Sequence, residues 1–456
     1  MTTPLRRAGG FAAVGTLSLA AAPLGVGIAV AFGAVAAVAF LVDDGPLFEL
    51  FARVGDREDG RLNGLLGFSL AAAGLSLFAT APQFSRETGA PLPVYAFVAG
   101  VLVLGYGNLG ERLVQTVRDD PFLSAAGFTV VGFLAAFLGQ LVVSTVGRVA
   151  GIDAGAGAGP VVTVTVADAA FLAAAGALTA ALLRSMLFER DDPLVMLSVG
   201  LLLWFLSYLP TNVTTTGVAV ALAVTVGLGI VSYVLQTASI EGMLTGVLLS
   251  LLTIVLGGVG WFAVLITFFA VGGLSTKFRY DAKLSRGVAE ENEGARGTGN
   301  VLGNSAVALA AVLAYAASAG LPVDATLFLF AFAGSLAAAM SDTLSSEIGG
   351  LFDTPRLITS LERVEPGTDG GVTWQGELAG VAGAALVALI AFALFERVDL
   401  LGAGVVLVGG VVGMTVDSLL GALVEGDRVG NEAVNFLATL AGAVAATLVA
   451  LFVVVP

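Results

Sequence analysis

Long apolar runs separated by short polar connections dominate the chain from end to end. About 15 of these runs are long enough to cross the hydrocarbon core of a bilayer, which is about 30 Å thick. The pattern predicts an all-α, polytopic transmembrane protein. The predicted spans are 8–22, 23–42, 62–80, 91–107, 121–146, 160–187, 193–209, 215–235, 239–257, 258–275, 299–318, 322–346, 376–396, 399–424 and 431–455.

The composition agrees with this pattern and limits the chemistry. Of 456 residues, 57% are hydrophobic and 12% are charged, and no soluble domain of this length could bury so much apolar surface. The chain has no cysteine and no histidine, which excludes disulfides, zinc sites of the usual kind and histidine bases. A net charge of −14 with only two lysines suggests a halophilic host with high internal salt.

The distribution of basic residues predicts the orientation in the membrane. If the N-terminus is cytoplasmic, seventeen of the twenty basic residues lie in connections on the cytoplasmic side. The other side holds only Arg86, Arg148 and Arg397. By the positive-inside rule, we expect a multi-pass protein of the cell membrane whose polar loops 276–298, 347–375 and 425–430 face the cytoplasm.

Carboxylates at the ends of apolar runs are the first candidates for chemistry. Asp342 and Glu347 follow a run that is almost entirely apolar from Leu327 to Met340. A carboxylate at the centre of a span costs about 3 kcal/mol, so such a residue is a functional candidate by default. Asp417 lies at a similar depth in another predicted span. Carboxylate and hydroxyl oxygens suit Mg²⁺, although a structural network at the helix end would use the same residues.

Glycine-rich, basic loops precede several of the predicted spans. Arg296 and Gly297 come just before a span that begins near Asn300, and a second glycine-rich segment ends at Gly371. Free backbone N–H groups at a helix N-terminus favour an anion, so these loops are candidate phosphate sites. Ordinary cytoplasmic loops that obey the positive-inside rule have a similar composition, and the charges alone do not separate the two interpretations.

Eight separated motifs recur in order in the second half of the chain: Thr276-Lys277, Gly294-x-Arg296-Gly297, Asn300, Asp342-Thr343-x-x-Ser346-Glu347-x-Gly349, Pro355-Arg356-x-Ile358-Thr359, Val364-x-x-Gly367-Thr368-x-Gly370-Gly371, Asp417-Ser418-x-x-Gly421-Ala422 and Val434-Asn435. With this series, residues 217–456 resemble the integral-membrane family that includes plant phytyl-phosphate kinase. One position departs from the expected pattern, since Glu425 stands where a glutamine is expected.

The resemblance implies a kinase that converts an isoprenyl monophosphate to the diphosphate. The donor would be a nucleoside triphosphate (CTP, UTP or ATP), and Mg²⁺ would assist the transfer. The catalytic residues and metal ligands would be Asp342, Glu347 and Asp417. The candidate residues for binding substrate and phosphate are Lys277, Arg296, Gly297, Asn300, Asn304, Thr343, Ser346, Arg356, Thr359, Gly367, Thr368, Gly370, Gly371, Asn431 and Asn435.

A polar break at Ser207–Thr216 divides the chain into two predicted domains. Residues 217–456 would form an eight-span domain, and residues 1–210 a seven-span domain. The first domain is faintly similar to phytol and dolichol kinases, through 53–61, 105–110 and 120–127. Tyr106 replaces an acidic residue expected in that family, so we interpret this half as a degenerate relative.

Two other classes of function remain open from the sequence. An ion-coupled transporter or lipid-phosphate flippase would also place carboxylates such as Asp342 and Asp417 within spans. The other open hypothesis is a membrane scaffold without catalytic activity. The partners expected under the kinase hypothesis are the lipid bilayer and an isoprenyl phosphate lipid, with no nucleic acid. The sequence leaves the oligomeric state open.

Overall fold

The computed structural model describes residues 4–81, 89–151, 162–210, 213–235, 238–289, 298–424 and 429–454. Almost all of the regular structure is helical, which confirms the all-α prediction. The chain divides into two compact units. Unit 1 comprises Met1–Leu209 and Val213–Leu222, and unit 2 comprises Pro210–Asn212 and Ala223–Pro456.

Unit 1 is built from ten helices and the first part of an eleventh, in the described part of the chain. They are α1 (Pro4–Thr16), α2 (Ala21–Leu24), α3 (Gly27–Leu41), α4 (Gly45–Phe51), α5 (Val54–Asp59), α6 (Asn63–Thr80), α7 (Val94–Gln115), α8 (Pro121–Val149), α9 (Val166–Met186), α10 (Asp192–Ser207) and the start of α11 (Thr215–Leu235). Helix α7 lies at the centre, because every residue from Val94 to Gly105 is buried. A 3-10 turn, Glu189–Asp191, joins α9 to α10.

Unit 2 contains the rest of α11 and eight further helices among the residues described. They are α12 (Ile240–Leu252), which continues through a π turn to Gly257, α13 (Val259–Lys277), α14 (Tyr280–Ser285), α15 (Thr298–Ala317), α16 (Thr326–Gly349), α17 (Trp374–Leu394), α18 (Leu400–Val424) and α19 (Asn431–Val453). Between α16 and α17, the strands β1 (Arg356–Leu357) and β2 (Gly371–Val372) pair antiparallel, with Arg356 opposite Val372.

The predicted number of about 15 spans exceeds the number of long apolar helices in the described chain. Twelve helices of the described chain are long and apolar enough to cross a membrane, or up to thirteen if the bent pair α3–α4 forms one span. The main α-helices within the predicted spans 8–22, 23–42 and 193–209 are α1, α3 and α10, which have 13, 15 and 16 residues. At about 1.5 Å per residue, none of these reaches the thickness of a bilayer core.

Turns, glycine and proline end these three helices, although the sequence stays apolar beyond the helix ends. A 3-10 turn over Leu17–Ala20 and a glycine with positive φ at Gly25 interrupt the first apolar stretch. The second predicted span ends where α3 and α4 meet at an angle of 107°. Helix α10 begins at Asp192 and stops at Ser207, shortly before Pro210.

Arginines and carboxylates form a polar cluster at helix ends in unit 1. Asp192, whose side chain is 1% exposed, accepts a hydrogen bond from Arg53 Nη2 at 2.5 Å. Arg112 forms an ion pair with Glu189, and Arg184 Nη1 lies 3.4 Å from Asp192 Oδ1. Because an unpaired charge is costly away from water, these contacts tie together the ends of α7, α9 and α10.

Small residues hold the core of unit 2 together. Helices α16, α18 and α19 each contribute two small residues four positions apart: Gly334 and Ala338, Gly409 and Gly413, Gly442 and Ala446. A methyl group at Gly442 would lie 2.6 Å from the Cβ of Ala338, and one at Gly413 would overlap Ala338. Such spacing lets helix backbones approach closely, as is common within membranes.

The same contacts fix the direction and register of α16 and α18. Gly409 lies against Gly334, and Gly413 lies against Ala338, so the contacts advance along both helices together. The two helices are therefore parallel. One turn further on in each helix come Asp342 and Asp417, since residues four apart share a helix face.

Enlarging Gly413 is expected to separate α16 from α18. The substitution Gly413→Ala places a methyl group on the Cβ of Ala338, and overpacking of this kind costs about 1–3 kcal/mol. The thermal unfolding midpoint of the purified protein should fall. Gly404→Ala in the same helix is the control, because nothing lies within 4 Å of a Cβ at that position. Equal midpoints for the two variants would contradict the packing described here.

The arginine cluster of unit 1 predicts an acid-sensitive contribution to stability. Burial alone would raise the pKa of the Glu189 carboxyl, but Arg112 and Arg53 outweigh it and hold the pKa below the ordinary value of 4.5. The unfolded chain then binds a proton at higher pH than the folded chain does. Stability from Glu189 is therefore present above pH 4.5 and is lost as the pH falls through the folded pKa.

We expect Glu189→Gln to lower the unfolding midpoint at pH 7 and to reduce its fall between pH 5 and pH 3, roughly the range of carboxyl titration. Thermal unfolding measured across this range checks the prediction. The exposed Glu58 provides the control through Glu58→Gln. A pH profile of Glu189→Gln that runs parallel to that of the wild type would show the contribution of Glu189 to be absent.

Candidate functional site

Unit 2 contains a polar cavity of about 470 Å³ at one end of its helices. This volume lies within the range of about 300–1,000 Å³ that is usual for small-molecule sites. The wall is formed by the first turns of α15 and α19, the last turns of α16 and α18, and the segment that carries β1 and β2. Segments far apart in the sequence therefore converge on one space.

Thirteen of the eighteen residues predicted from the sequence line this cavity. Eleven of them come from five of the eight motifs, Asn304 and Asn431 lie close to two of these motifs in the sequence, and the fold of unit 2 brings all of them together. The thirteen are Asn300, Asn304, Asp342, Thr343, Ser346, Glu347, Gly367, Thr368, Gly370, Gly371, Asp417, Asn431 and Asn435.

The carboxyl groups of Asp342 and Asp417 lie within hydrogen-bonding reach of each other. Their helices run in parallel, and the small-residue contacts one turn earlier set this distance. Asp417 Oδ1 is buried and has no hydrogen-bond partner among the described residues. Negative charges on two neighbouring carboxyl groups repel each other in a partly buried site, so a cation bound between them would be favourable.

Three helices begin at the cavity, which gives it groups that attract anions. Asn300 lies in the first turn of α15, and Asn431 begins α19. Thr373 caps α17, since its side-chain oxygen accepts a hydrogen bond from Gly376 N at 3.1 Å. Asn300 Oδ1 is buried without a partner in the described chain. The partial positive charge at helix N-termini favours an anion such as phosphate.

The glycine-rich segment between β1 and β2 closes one side of the cavity. Gly370 has φ +72°, a conformation that favours glycine. A Cβ at this position would lie 2.5 Å from the Cβ of Ala422 and 2.6 Å from the carbonyl oxygen of Ser418. The segment therefore packs directly on α18, one turn beyond Asp417.

A buried ion pair holds the remaining predicted carboxylate. Lys283 is 1% exposed, and its ammonium group donates hydrogen bonds to Glu347 and to the carbonyl oxygens of Ser275, at 2.9 Å, and Thr276, at 2.6 Å. The last turn of α13 is thereby tied to the end of α16. Within the described chain, no three acidic side chains approach closely enough to hold one metal ion together. Asp342 and Asp417 thus meet each other, while Glu347 meets Lys283.

Five of the predicted residues are not brought into the cavity wall. Lys277 is exposed at the end of α13, and Arg356 and Thr359 are exposed on and after β1. The guanidinium of Arg356 instead donates a hydrogen bond to the carbonyl oxygen of Leu361. Arg296 and Gly297 lie outside the described residues.

Lys283 is the main residue that the motifs did not single out. It is one of only two lysines in the chain, and that rarity was the only indication in the sequence. Its burial depends on the short helix α14 folding back against α13, which the hydrophobic pattern does not reveal. Asp369, Thr373 and Ser418 also line the cavity without having been predicted.

Comparison with known proteins gives the family. Residues 223–443 match the family described as Integral membrane protein DUF92. An uncharacterised membrane protein of Methanocaldococcus jannaschii is 35% identical over 212 residues, which cover 46% of this chain and 84% of that protein. The chain belongs to the DUF92 family. This confirms the family predicted from the motifs of residues 217–456.

Two proteins of Arabidopsis thaliana are also similar to this DUF92 protein. The chloroplastic protein VTE6 is 29% identical over 221 residues, covering 47% of this chain and 66% of VTE6, just under two thirds. The protein PGR is 31% identical over 214 residues, covering 42% of this chain and 74% of PGR. No solved structure matches the chain.

Removal of Lys283 should destabilise the protein far more than removal of the other lysine. Lys283→Met leaves the Glu347 carboxylate buried without its cation, and breaking a buried pair in this way costs about 3–5 kcal/mol. The thermal unfolding midpoint reports the loss. Lys277→Met is the matched control, since Lys277 is exposed.

The double variant Lys283→Met with Glu347→Gln should recover part of the lost stability, because the amide carries no charge to leave unpaired. If Lys283→Met unfolds at the same temperature as Lys277→Met, the buried pair does not have the role assigned to it.

Proposed function

We propose that this DUF92 protein transfers a phosphoryl group from a nucleoside triphosphate to a membrane-embedded isoprenyl monophosphate. The observation that carries the proposal is the convergence of paired carboxylates and three helix N-termini on one cavity of unit 2. Carboxylates attract cations and helix N-termini attract anions, so the combination suits a phosphate bound together with a metal ion.

The charge of the cavity wall supports a metal ion as part of the substrate complex. Its described residues include Asp342, Glu347, Asp369 and Asp417, and they include no lysine or arginine. Lys283 neutralises Glu347 alone. A bare phosphate would be repelled by the other three carboxylates, and a phosphate accompanied by a divalent cation would not.

The available oxygen atoms fit Mg²⁺. This ion usually takes one or two protein carboxylates and completes its six ligands with water and substrate phosphates. Asp342 and Asp417 would hold it, and the unpartnered Oδ1 of Asp417 is the kind of atom that such an ion satisfies. When bound, Mg²⁺ supplies positive charge that neutralises the phosphates during transfer.

The reaction suits a chain that lacks histidine and cysteine. The attacking group is an oxygen of the isoprenyl phosphate, which is largely ionised at pH 7 because a monoester has a second pKa near 6. That oxygen forms a bond to the γ-phosphorus, and the bond from the γ-phosphorus to the nucleoside diphosphate breaks. No general base is needed, so the work of the protein is to position the phosphates and balance their charge.

In this proposal, the N–H groups at the starts of α15, α17 and α19 and the glycine-rich segment around Gly370 orient the phosphates. Asn300, with its unpartnered Oδ1, and Asn304 lie on the same wall. The prenyl tail would lie among the apolar surfaces of the spans. The resemblance of residues 217–456 to the family that includes plant phytyl-phosphate kinase supports an isoprenoid substrate. We place the cavity at the cytoplasmic face, because the basic residues concentrate in the predicted cytoplasmic connections.

Purified protein in lipid nanodiscs, given geranylgeranyl or phytyl monophosphate, Mg²⁺ and each nucleoside triphosphate in turn, should form the diphosphate with at least one donor. Asp342→Asn and Asp417→Asn should each lower turnover by at least about 100-fold, since each removes charge next to the reacting phosphates. Glu396→Gln, at an exposed position outside the cavity, is the matched control and should retain activity.

Absence of diphosphate with every donor would overturn the proposal. Cation-driven uptake by liposomes containing the protein, lost in Asp342→Asn, would then favour an ion-coupled carrier, because paired carboxylates in a span also bind coupling ions.

A further inference from the structure

A second polar site lies in unit 1, away from the residues of the proposed active site. Arg7, Arg53, Arg112 and Arg184 line one small cavity together with Glu189 and Asp192. Arg7 lies in the first turn of α1, while Arg112 and Arg184 lie in the last turns of α7 and α9. The site thus has four guanidinium groups and two carboxylates on its wall.

The two carboxylates form close ion pairs with Arg53 and Arg112, although Arg53 Nε has no hydrogen-bond partner in the described structure. Arg53 Nη2 donates a hydrogen bond to Asp192 Oδ2 at 2.5 Å, and Arg53 Nη1 donates to the carbonyl oxygen of Glu189. Arg112 pairs with the Glu189 carboxylate and donates a second hydrogen bond to Gln115 at 2.7 Å. Glu189 and the Oδ2 atom of Asp192 are therefore engaged, while Asp192 Oδ1 has no hydrogen-bond partner in the described structure and lies 3.4 Å from Arg184 Nη1.

The other two arginines form no hydrogen bond to a carboxylate among the described residues, although Arg184 forms two longer ion pairs. Arg7 forms no ion pair in this part of the chain, and its guanidinium donates a hydrogen bond to the Ala52 carbonyl oxygen at 2.9 Å. Arg184 is 10% exposed, and its carboxylate neighbours, Asp192 and Glu111, lie at 3.4 and 3.6 Å. Charge-assisted hydrogen bonds are usually 2.7–2.9 Å, and Arg184 Nε has no hydrogen-bond partner at all in the described structure.

The location of Arg7 in the first turn of α1 further destabilises its positive charge. A cation in the first turn of a helix faces the positive end of the helix dipole. Burial lowers the pKa of the Arg7 guanidinium, and repulsion from Arg53 and Arg112 acts in the same direction, against the attraction of Glu189. An additional anion near Arg7 would relieve each of these costs.

We propose that this arginine cluster binds a phosphate group, either on a lipid headgroup or on a soluble phosphate. The planar guanidinium donates two parallel hydrogen bonds to phosphate oxygens, and an array of such groups is the usual protein solution for that ligand. The cavity holds about 20 Å³, roughly the space of one water molecule, so the phosphate must displace a side chain. Glu189 is the side chain that can move, because it is 35% exposed and lies on a single 3-10 turn.

The test uses the full chain purified in detergent, with thermal unfolding recorded at constant ionic strength balanced with chloride. One arm titrates inorganic phosphate, and the other titrates phosphatidic acid into the micelles against phosphatidylcholine. We expect a rise in the unfolding midpoint in at least one arm, and the arm that responds identifies the source of the phosphate. No rise in either arm would overturn the proposal.

Variants separate this site from the cavity of unit 2. Arg7→Gln should weaken phosphate binding by at least about tenfold, because one charged hydrogen-bond donor is lost. Arg118→Gln is the control, since the Arg118 side chain is 67% exposed and lies outside the cluster, and its binding should be unchanged. Equal binding by these two variants would contradict the proposal.

Glu189→Gln should strengthen binding, because the competing carboxylate no longer pairs with Arg112. A cluster of purely structural ion pairs would not respond in this way, so unchanged or weaker binding by this variant would count against the site. If Arg7→Gln fails to fold, Arg7→Lys keeps the charge without the paired donors and should bind more weakly than the wild type. Wild-type affinity in Arg7→Lys would then overturn the role of Arg7.

Discussion

The close approach of α16 and α18 is the constraint on which the site of unit 2 depends. Gly334 and Ala338 meet Gly409 and Gly413 with no room for a further methyl group, and α19 fills the remaining side with Gly442. Because lipid tails are as apolar as the helices, tight packing of small residues provides much of the attraction between spans. The register that it sets delivers one carboxylate from each helix to the same place.

The same register explains how the fold accommodates two acidic side chains within its membrane-spanning helices. Asp342 and Asp417 come one turn after the tightest contact, where the helices have reached the polar end of the bundle. Three helix N-termini face the same space and offset the negative charge. The third carboxylate, Glu347, points to Lys283, so its charge is balanced by the protein itself. Glu347 therefore has a cation as its partner, while Asp342 and Asp417 interact with each other.

Much of this arrangement could be predicted from the sequence, for identifiable reasons. The cost of a charge in a span selects Asp342 and Asp417 without knowledge of the fold, and glycine-rich turns before helices point to Gly367–Gly371. The pairing with Lys283 could not be predicted, since it depends on α14 folding back by a few residues. Lys277, the neighbour that looked equally suitable, is exposed. The short helices α1, α3 and α10 were also missed, because hydropathy measures apolar length while proline, glycine and 3-10 turns set helix length.

The cavities of the two units carry opposite charge: carboxylates predominate in the cavity of unit 2, and arginines predominate in the cavity of unit 1. In unit 2, carboxylates and three helix N-termini line the same cavity, and in the proposed function an anion enters it together with a cation. In unit 1, guanidinium groups exceed carboxylates on the cavity wall, and Arg7 is held at a helix N-terminus that repels it. Under the two proposals, a phosphate alone would satisfy the arrangement in unit 1, and a metal-bound phosphate would satisfy the arrangement in unit 2. Chelation of divalent cations should therefore abolish phosphate binding in unit 2 and leave binding in unit 1 intact, since the charges that attract phosphate there are covalently part of the chain.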